Sequence, residues 1–402
     1  GGHTTRANLL NEWRRYCGEH LYRFIHRLGA SPYAPHVNGF FLAAANSGEW
    51  WYYKGEGDPG WDYSRTRQEA FIRYVRQKYG DNEAIAKAWD VPNDDQLLVL
   101  PSLKERGEFP MRPNSKASDY AQVLNIPVTN AARYFARIIK VATSGRALAG
   151  MEIHMGGMTF PSNGTVFLNH LLDCPDIDFF GGPSGYGERR PGASPIYRTL
   201  ISSLDLHGKL WMNEADIRTP TSYDTPSGAQ GEPPPDMEGM REVFYREFAR
   251  GAVFNYSSYL MDFNWFWYLD PSIVKQMKEV LRADGVVQSV GLRRNAEIAF
   301  VTDQESQLYA NYFSNPTGRM LGEEGAKSVV DRIGASWDIL ELRDFLANER
   351  FRQYKLVVFL NINALSEEER GQIEAVKSDN RTVLWMHQPG ITSLSTRGAV
   401  PE

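Results

Sequence analysis

The spacing of apolar residues divides the chain into helices that alternate with short strands. Helical periodicity covers residues 8–29 and resumes after Ser64, where Phe71 and Val75 share one face of a helix that stops at Gly80. Further helices are predicted over residues 81–89, 130–143, 194–206 and 237–250, and from Pro271 to about residue 283, whereas residues 92–127 are predicted to be irregular. The pattern is that of a folded α/β protein.

Apolar runs between these helices predict buried strands. Their ends lie near residues 49, 155, 183, 214 and 262. Strand–helix alternation of this kind builds a parallel sheet. Five strands fit either an open sheet or part of a (β/α)8 TIM barrel whose first strands lie upstream or in another chain. Residues 219–235, rich in Pro, Gly, Ser and Thr, are predicted to form a long loop beside a functional site.

A second α/β unit is predicted after a linker at residues 286–294, which places the domains at 1–288 and 295–402. Its strands are expected at residues 297–301, 337–342, 355–360 and 382–386, with helices at 306–313 and from a capping box at Ser366 to about Lys377. Gly318 and Gly322 do not form a dinucleotide fingerprint. This unit is therefore expected to be an accessory or oligomerisation domain, and no cofactor is predicted.

Composition narrows the class of partner. A net charge of −5 and a pI near 6.0 argue against nucleic acid or an anionic membrane, and no apolar run is long enough to span a bilayer. Cys17 and Cys174 have neither metal-ligand spacing nor a disulfide framework, and His, Cys and acidic residues form no recognisable metal motif. The first residues lack a signal-peptide pattern. A soluble protein is expected, and its compartment, cytoplasm or periplasm, stays open because any signal peptide would lie upstream of residue 1.

Two strand ends carry the candidate chemistry. Residues 209–216 form an apolar run that ends in Glu214 and Asp216, and residues 36–49 end in Glu49 beside Trp50 and further aromatic residues. Glycoside hydrolysis needs one proton-donating carboxyl and one ionised carboxylate on opposite sides of a sugar. Each glutamate alone is equally consistent with a surface residue at a strand end, but the pair among aromatic residues favours carbohydrate chemistry.

Other polar residues near strand ends leave alternatives open. Glu152 and His154 end a strand and are candidates for lining the pocket, although His154 fits a core position as well. Arg189 and Arg190 suit an acidic or sulfated sugar, or simply a solvated surface. A pairing of Arg218 with Asp216, which would orient that carboxylate, is also predicted.

Taken in order, these segments resemble the clan A retaining glycosidases, most closely the family 42 β-galactosidases. The resemblance rests on the strand ending at Glu49, the helices over residues 68–89, the segments at 177–186 and 209–219, and the run from Asp262 to Trp265. It covers most of residues 30–390 and implies that the chain holds barrel strands 4–8. The unit from residue 297 is similar to the flavodoxin-like trimerisation domain of these enzymes, which implies a homotrimer.

The resemblance also implies roles for individual residues. Glu49 would be the general acid/base and Glu214 the nucleophile of a β-galactosidase-like enzyme that acts on a glycoside or oligosaccharide. Tyr186 would hydrogen-bond the nucleophile, and Trp265, or failing that Trp267, would form a platform under the sugar. Trp50 is expected to form an aromatic wall that desolvates the acid/base.

Two departures from the family pattern bear on substrate identity. Family members usually have an asparagine directly before the acid/base, whereas here Gly48 occupies that position and the nearest asparagine is Asn46. The first three barrel strands, which normally contribute sugar contacts, are also not found in this sequence. Two alternatives follow: a clan A hydrolase acting on an unusual plant or algal glycan, and a non-catalytic glycan-binding barrel.

Overall fold

A computed structural model describes residues 11–44, 48–50, 62–106, 111–153, 164–185, 189–195, 199–222, 233–262, 266–291, 294–310, 332–377, 380–386 and 389–395. Within these ranges the strands form two larger parallel sheets and one short parallel pair. The first sheet belongs to the N-terminal part of the chain, and the second sheet belongs to the C-terminal part.

The first sheet consists of strands that follow one another in space as they do in sequence. Its order is β1 (Gly39–Leu42), β2 (Leu148–Glu152), β3 (Phe179–Pro183), β4 (Leu210–Ala215) and β5 (Ser257–Leu260), and each neighbouring pair is parallel. All the carboxyl ends therefore lie along one edge. This consecutive order is that of a (β/α)8 barrel.

Eight helices accompany this sheet in the described ranges, and several begin where the sequence places a capping residue. They are α1 (Asn11–Gly29), α2 (Arg65–Tyr79), α3 (Asn82–Trp89), α4 (Leu103–Arg106), α5 (Lys116–Thr143), α6 (Ile201–Leu206), α7 (Met237–Phe254) and α8 (Pro271–Val290), with 3-10 turns at Ala34–His36 and Leu168–Leu171. The Ser64 hydroxyl accepts from the amide of Arg67, and Asp81 accepts from that of Ala84. These side chains satisfy amides that a helix start leaves unpaired.

Helix α5 corrects the prediction that residues 92–127 are irregular. It starts at Lys116 after a capping box at Ser115, and it contains Pro127 in its interior. A proline has no amide hydrogen, so it leaves the carbonyl four residues earlier, that of Val123, without its helical partner. The buried Arg67 supplies one instead, because its Nη1 donates to the Val123 oxygen at 2.7 Å. A side chain from α2 thus permits a helix that local sequence argues against.

This arrangement makes the two positions energetically coupled. Pro127→Ala is expected to stabilise an Arg67→Leu variant by about 1 kcal/mol more than it stabilises the wild type, because only in the variant does the restored amide bond find an unpaired carbonyl. Urea unfolding of the two single variants and the double variant measures this difference. Strictly additive effects would show that Arg67 does not replace the missing hydrogen bond.

Other element boundaries also differ from prediction. Helix α7 continues to Phe254 and ends at Asn255 with a φ of 54°, so β5 starts at Ser257 and not at residue 252. Helix α8 runs through the predicted linker to Val290 and ends at Gly291, whose φ is 66°. Helix α6 begins only at Ile201. In the first two cases a residue in the left-handed conformation, several residues beyond the predicted end, terminates the helix.

The second sheet has a crossed strand order. Its strands are β6 (Ile298–Thr302), β7 (Trp337–Glu341), β8 (Leu356–Leu360) and β10 (Thr382–Met386), arranged β10–β8–β6–β7, while β9 (Ala364–Ser366) pairs with β11 (Thr392–Leu394). The accompanying helices are α9 (Gln307–Ala310), α10 (Leu342–Leu346) and α11 (Glu367–Val376), with a 3-10 segment at Ala347–Gln353. The predicted capping box at Ser366 is present. A first strand inside the sheet is typical of doubly wound units; the flavodoxin-like, trimer-forming assignment and the domain limits stay predictions.

The edge of the second sheet that β7 forms is covered by the first unit. The hydroxyls of Ser202 and Ser203, on α6, accept hydrogen bonds from the β7 amides of Ile339 and Glu341 at 3.1 and 2.9 Å. His207 adds a contact to Asp344 at 2.9 Å. These hydroxyls accept hydrogen bonds from edge-strand amides that have no neighbouring strand to pair with. They also connect the second sheet to the first unit.

Candidate active site

Three glutamates meet at the carboxyl ends of the first-sheet strands. They line a cavity of about 590 Å³ together with Phe41, Pro183, Met212, Tyr259, Leu260, Met261 and Asp262. The structure thus brings together Glu49 and Glu214, which the sequence singled out as a pair. It adds Glu152, the last residue of β2. Glu49 and Glu214 are only 8% and 6% exposed, so neither is a surface residue at a strand end.

Glu49 reaches the cavity through a tight reversal of the chain after β1. The Ala44 amide donates to the Gly48 carbonyl at 2.6 Å, and the Trp50 amide donates to the Glu152 carbonyl at 2.9 Å. Gly48 has a φ of 95°, and a Cβ at this position would lie 2.9 Å from Oε2 of Glu152. An asparagine at this position would be strained because L side chains rarely adopt this φ, whereas the contact with the end of the flexible Glu152 side chain could be relieved by a small movement. Gly48 is therefore explained by the backbone conformation of the turn.

Trp50 and Trp267 do not have the predicted sugar-binding positions. The indole of Trp50 donates to the Leu42 carbonyl at 2.8 Å and packs 5.6 Å from Phe135 in the main core, with 3% of its surface exposed. Trp267 is fully buried, and its carbonyl accepts from the Thr219 hydroxyl at 2.6 Å. Large aromatic side chains contribute most when their apolar surface is removed from water. Both tryptophans are therefore buried residues that connect neighbouring segments, and neither presents a face to a sugar.

Glu214 is held by a tyrosine that the sequence interpretation missed. Tyr259, on the neighbouring strand β5, pairs in register with Glu214 and donates its hydroxyl to Oε2 at 2.8 Å. Burial and the charge of Glu214 both raise the pKa of Tyr259 above its ordinary value, so the hydroxyl keeps its proton. Tyr186, predicted for this contact, lies outside the described residues. Strand register was the missing information, because it joins positions 45 residues apart.

Glu152 has a strongly raised pKa. Burial raises its pKa to about 8, with further contributions from the charge of Glu214, a hydrogen bond between the two carboxyl groups, and the charge of Glu49. A carboxyl group between two others in a partly dry cavity favours the neutral form. At neutral pH, Glu152 therefore carries a proton. The sequence predicted that Glu152 is a candidate for lining the pocket, and the structure places it there, but its raised pKa was not predicted.

Asp216 and the loop after β3 are joined by an arginine. Nη1 of Arg189 lies 2.6 Å from Oδ1 of Asp216, and both side chains are buried. Burial nevertheless raises the pKa of Asp216 to about 6, because desolvation outweighs the opposing effect of Arg189. Arg218, predicted to pair with Asp216, instead donates to the Ser222 hydroxyl at 3.3 Å. The solvated-surface interpretation is wrong for Arg189 and agrees with the exposed position of Arg190.

Several predicted site residues lie outside the described ranges: Asn46, His154, Tyr186 and Trp265. Within the ranges that are described, no group of three or more His, Cys, Asp or Glu side chains is arranged to hold a metal ion. None of the described helices combines the length and apolar character needed to cross a membrane. Cys17 and Cys174 are both free.

The chain is similar to solved glycosidase structures at low sequence identity. The β-galactosidase of the psychrophilic Marinomonas ef1 is 16% identical with a TM-score of 0.59, and the match covers 94% of this chain and 59% of that one. The cold-adapted β-galactosidase of Rahnella sp. R3 is 14% identical with a TM-score of 0.60, over 92% of this chain and 54% of that one. The GH42 exo-carrageenase of Bacteroides ovatus is 11% identical with a TM-score of 0.58, and the match covers 94% of this chain and 53% of that one.

These likenesses concern the fold. They confirm the predicted α/β class with a TIM-barrel arrangement of the first sheet. The chain spans little more than half the length of these proteins. No family model matches the sequence, and no curated protein does either.

Proposed function

We propose that this protein is a glycoside hydrolase, specifically a retaining β-glycosidase in which Glu214 is the nucleophile and Glu49 the general acid/base. The observation that carries the proposal is that two nearly buried glutamates from different strand ends face one cavity. The fold shared with β-galactosidases supports this proposal, since sites in such barrels form at the carboxyl ends of the strands.

The proposed reaction proceeds in two displacements. In the first, an oxygen of Glu214 attacks the anomeric carbon while the bond to the leaving oxygen breaks, and the proton of Glu49 passes to that oxygen. In the second, Glu49 takes a proton from water, and the water oxygen displaces Glu214 from the sugar. Tyr259 donates to Glu214 throughout the resting state and orients its carboxylate for attack.

The cavity favours an uncharged sugar. Its described lining contains four acidic side chains, those of Glu49, Glu152, Glu214 and Asp262, and no lysine or arginine. Even with Glu49 and Glu152 protonated, the carboxylates of Glu214 and Asp262 would repel an anionic sugar, and the described lining offers no cation to offset this cost. We therefore assign a neutral β-linked sugar, such as a β-galactoside, and place sulfated glycans second.

A panel of aryl β-glycosides tests this assignment. Neutral glycosides are expected to release the aryl group, and a 6-sulfated galactoside is expected to react at least about 10-fold more slowly because of its charge. Proton NMR of the first product should show the β-anomer, as retention requires. Initial formation of the α-anomer would point to an inverting enzyme, and binding of sugars without any hydrolysis would favour the non-catalytic glycan-binding barrel.

A further inference from the structure

Glu152 is a third carboxyl group in a cavity whose proposed chemistry needs only two. It ends β2, which lies between β1 and β3, so its side chain is placed between the segment carrying Glu49 and the strand carrying Glu214. The carbonyl of Glu152 accepts the amide of Trp50, and its Oε2 occupies the space that a side chain at Gly48 would need. Glu152 is thus in direct contact with the backbone on both sides of Glu49.

The contacts of Glu214 require a proton on its neighbour. One of its oxygens, Oε2, accepts the hydroxyl of Tyr259, and its carboxyl lines one cavity with that of Glu152, close enough for a hydrogen bond between the two carboxyls to raise the pKa of Glu152. Two carboxylates cannot hydrogen-bond each other, because both are acceptors only; one of them must carry a proton. Among the described residues, the other titratable groups facing Glu152 are Glu49 and Tyr259, and Asp262 lines the same cavity. None of these groups brings a positive charge.

We propose that Glu152 is a positioning residue: its neutral carboxyl donates a hydrogen bond to Glu214 and so keeps the nucleophile ionised and oriented. This inference rests on the proposed function of Glu214. A donor to the charged form of a carboxylate favours that form, and Glu152 provides such a donor beside the hydroxyl of Tyr259. Its pKa of about 8 keeps the proton in place over the neutral range.

Geometry separates this role from that of the general acid. Hydrogen-bonded carboxyl oxygens lie about 2.5–3.0 Å apart. An acid and a nucleophile that act on opposite sides of a sugar need about 5–5.5 Å between them. A Glu152 carboxyl that hydrogen-bonds Glu214 is not the group across the sugar from the nucleophile, so Glu49 remains the proposed donor to the leaving group. The proton of Glu152 stays on Glu152 during both displacements.

The sign of the pH effect follows from the raised pKa. Below about pH 8, Glu152 is neutral and donates to Glu214. As the pH rises through this value, Glu152 loses its proton to solvent, and two carboxylates then repel each other. The stabilisation that comes from the protonated form is therefore complete only below the ordinary glutamate pKa of 4.5, and it is lost as the pH rises from there through about 8.

Two substitutions of similar size test the proposal. Glu152→Gln keeps a neutral donor, whereas Glu152→Leu removes it. With the neutral glycoside that the wild type hydrolyses, we measure kcat/KM as a function of pH. We expect the acidic limb of this pH profile to shift to higher pH by about 1 unit in Glu152→Leu and to stay in place in Glu152→Gln. We also expect kcat to fall about 10–100-fold in Glu152→Leu, with a smaller change in KM.

A second measurement does not depend on activity. NMR of protein labelled with carboxyl-13C glutamate should show one group that titrates near pH 8 in the wild type and is lost in Glu152→Gln. Persistence of that titration in Glu152→Gln, or an unchanged acid limb in Glu152→Leu, would overturn the proposal. If the wild type hydrolyses no glycoside, the proposed function fails, whereas loss of the titration in Glu152→Gln would still support the shared proton.

Discussion

Replacing Glu214 by glutamine is expected to lower kcat by roughly 10⁴–10⁶-fold, which is the largest effect predicted for this protein. The amide has nearly the same shape but is a poor nucleophile, so the glycosyl–enzyme bond does not form. The substitution removes one of the charges that face each other in the cavity, so thermal stability at pH 8 should be unchanged or higher. Initial rates on an aryl glycoside and a thermal melt measure the two effects.

Graded controls accompany this prediction. Tyr259→Phe removes a single hydrogen bond to Glu214 and is expected to reduce kcat by about 10–100-fold. Glu69→Gln changes an exposed glutamate on α2, in a salt bridge with Arg65, and is expected to leave the rate unchanged. A Glu214→Gln enzyme that keeps more than about a tenth of the wild-type rate would rule out the nucleophile assignment.

Replacing Arg189 by methionine should destabilise the protein by about 3–5 kcal/mol, the largest effect on stability that we predict. The change leaves the Asp216 carboxyl buried without its positive partner. It also removes donors to the carbonyls of Gly185, Ser184 and Asp216, at 2.9, 2.8 and 3.0 Å. The free energy of unfolding in urea measures the loss.

The neighbouring arginine provides a matched control. Arg190 is exposed, and Arg190→Met is expected to change stability by no more than about 0.5 kcal/mol. Adding Asp216→Asn to Arg189→Met should recover part of the loss, because it removes the buried charge. Equal, small effects at both arginines would mean that Arg189 does not hold the loop after β3 to the end of β4.

Gly48 holds a backbone conformation that favours glycine. A Gly48→Asn change would place an asparagine at a φ of 95°, which L side chains rarely adopt, with its Cβ 2.9 Å from the end of the flexible Glu152 side chain. The backbone conformation, more than the neighbouring carboxyl, therefore opposes an asparagine at this position. The resemblance to the family holds at the level of the fold, while the immediate surroundings of Glu49 differ.

Local sequence by itself determined much of the fold. Apolar runs located the strands, because a buried parallel strand leaves a continuous hydrophobic segment. Helix starts at Ser64, Asp81 and Ser366 were readable, because a cap depends on residues three positions apart. The pairing of Glu49 with Glu214 followed from the rule that parallel strands bring their carboxyl ends to one edge.

Only the tertiary structure decided which side chains touch. The hydrogen bonds of Tyr259 and Glu152 to Glu214 depend on strand register, which no local pattern encodes. The bond from Arg67 to Val123, which admits a proline into α5, joins residues 56 positions apart. Trp50 was predicted to line the pocket because it follows Glu49 in the sequence, but its side chain packs in the core instead. Residue type and helix capping can be predicted from neighbouring positions in the sequence. Burial and side-chain pairing depend on segments that come into contact only when the sheet has formed.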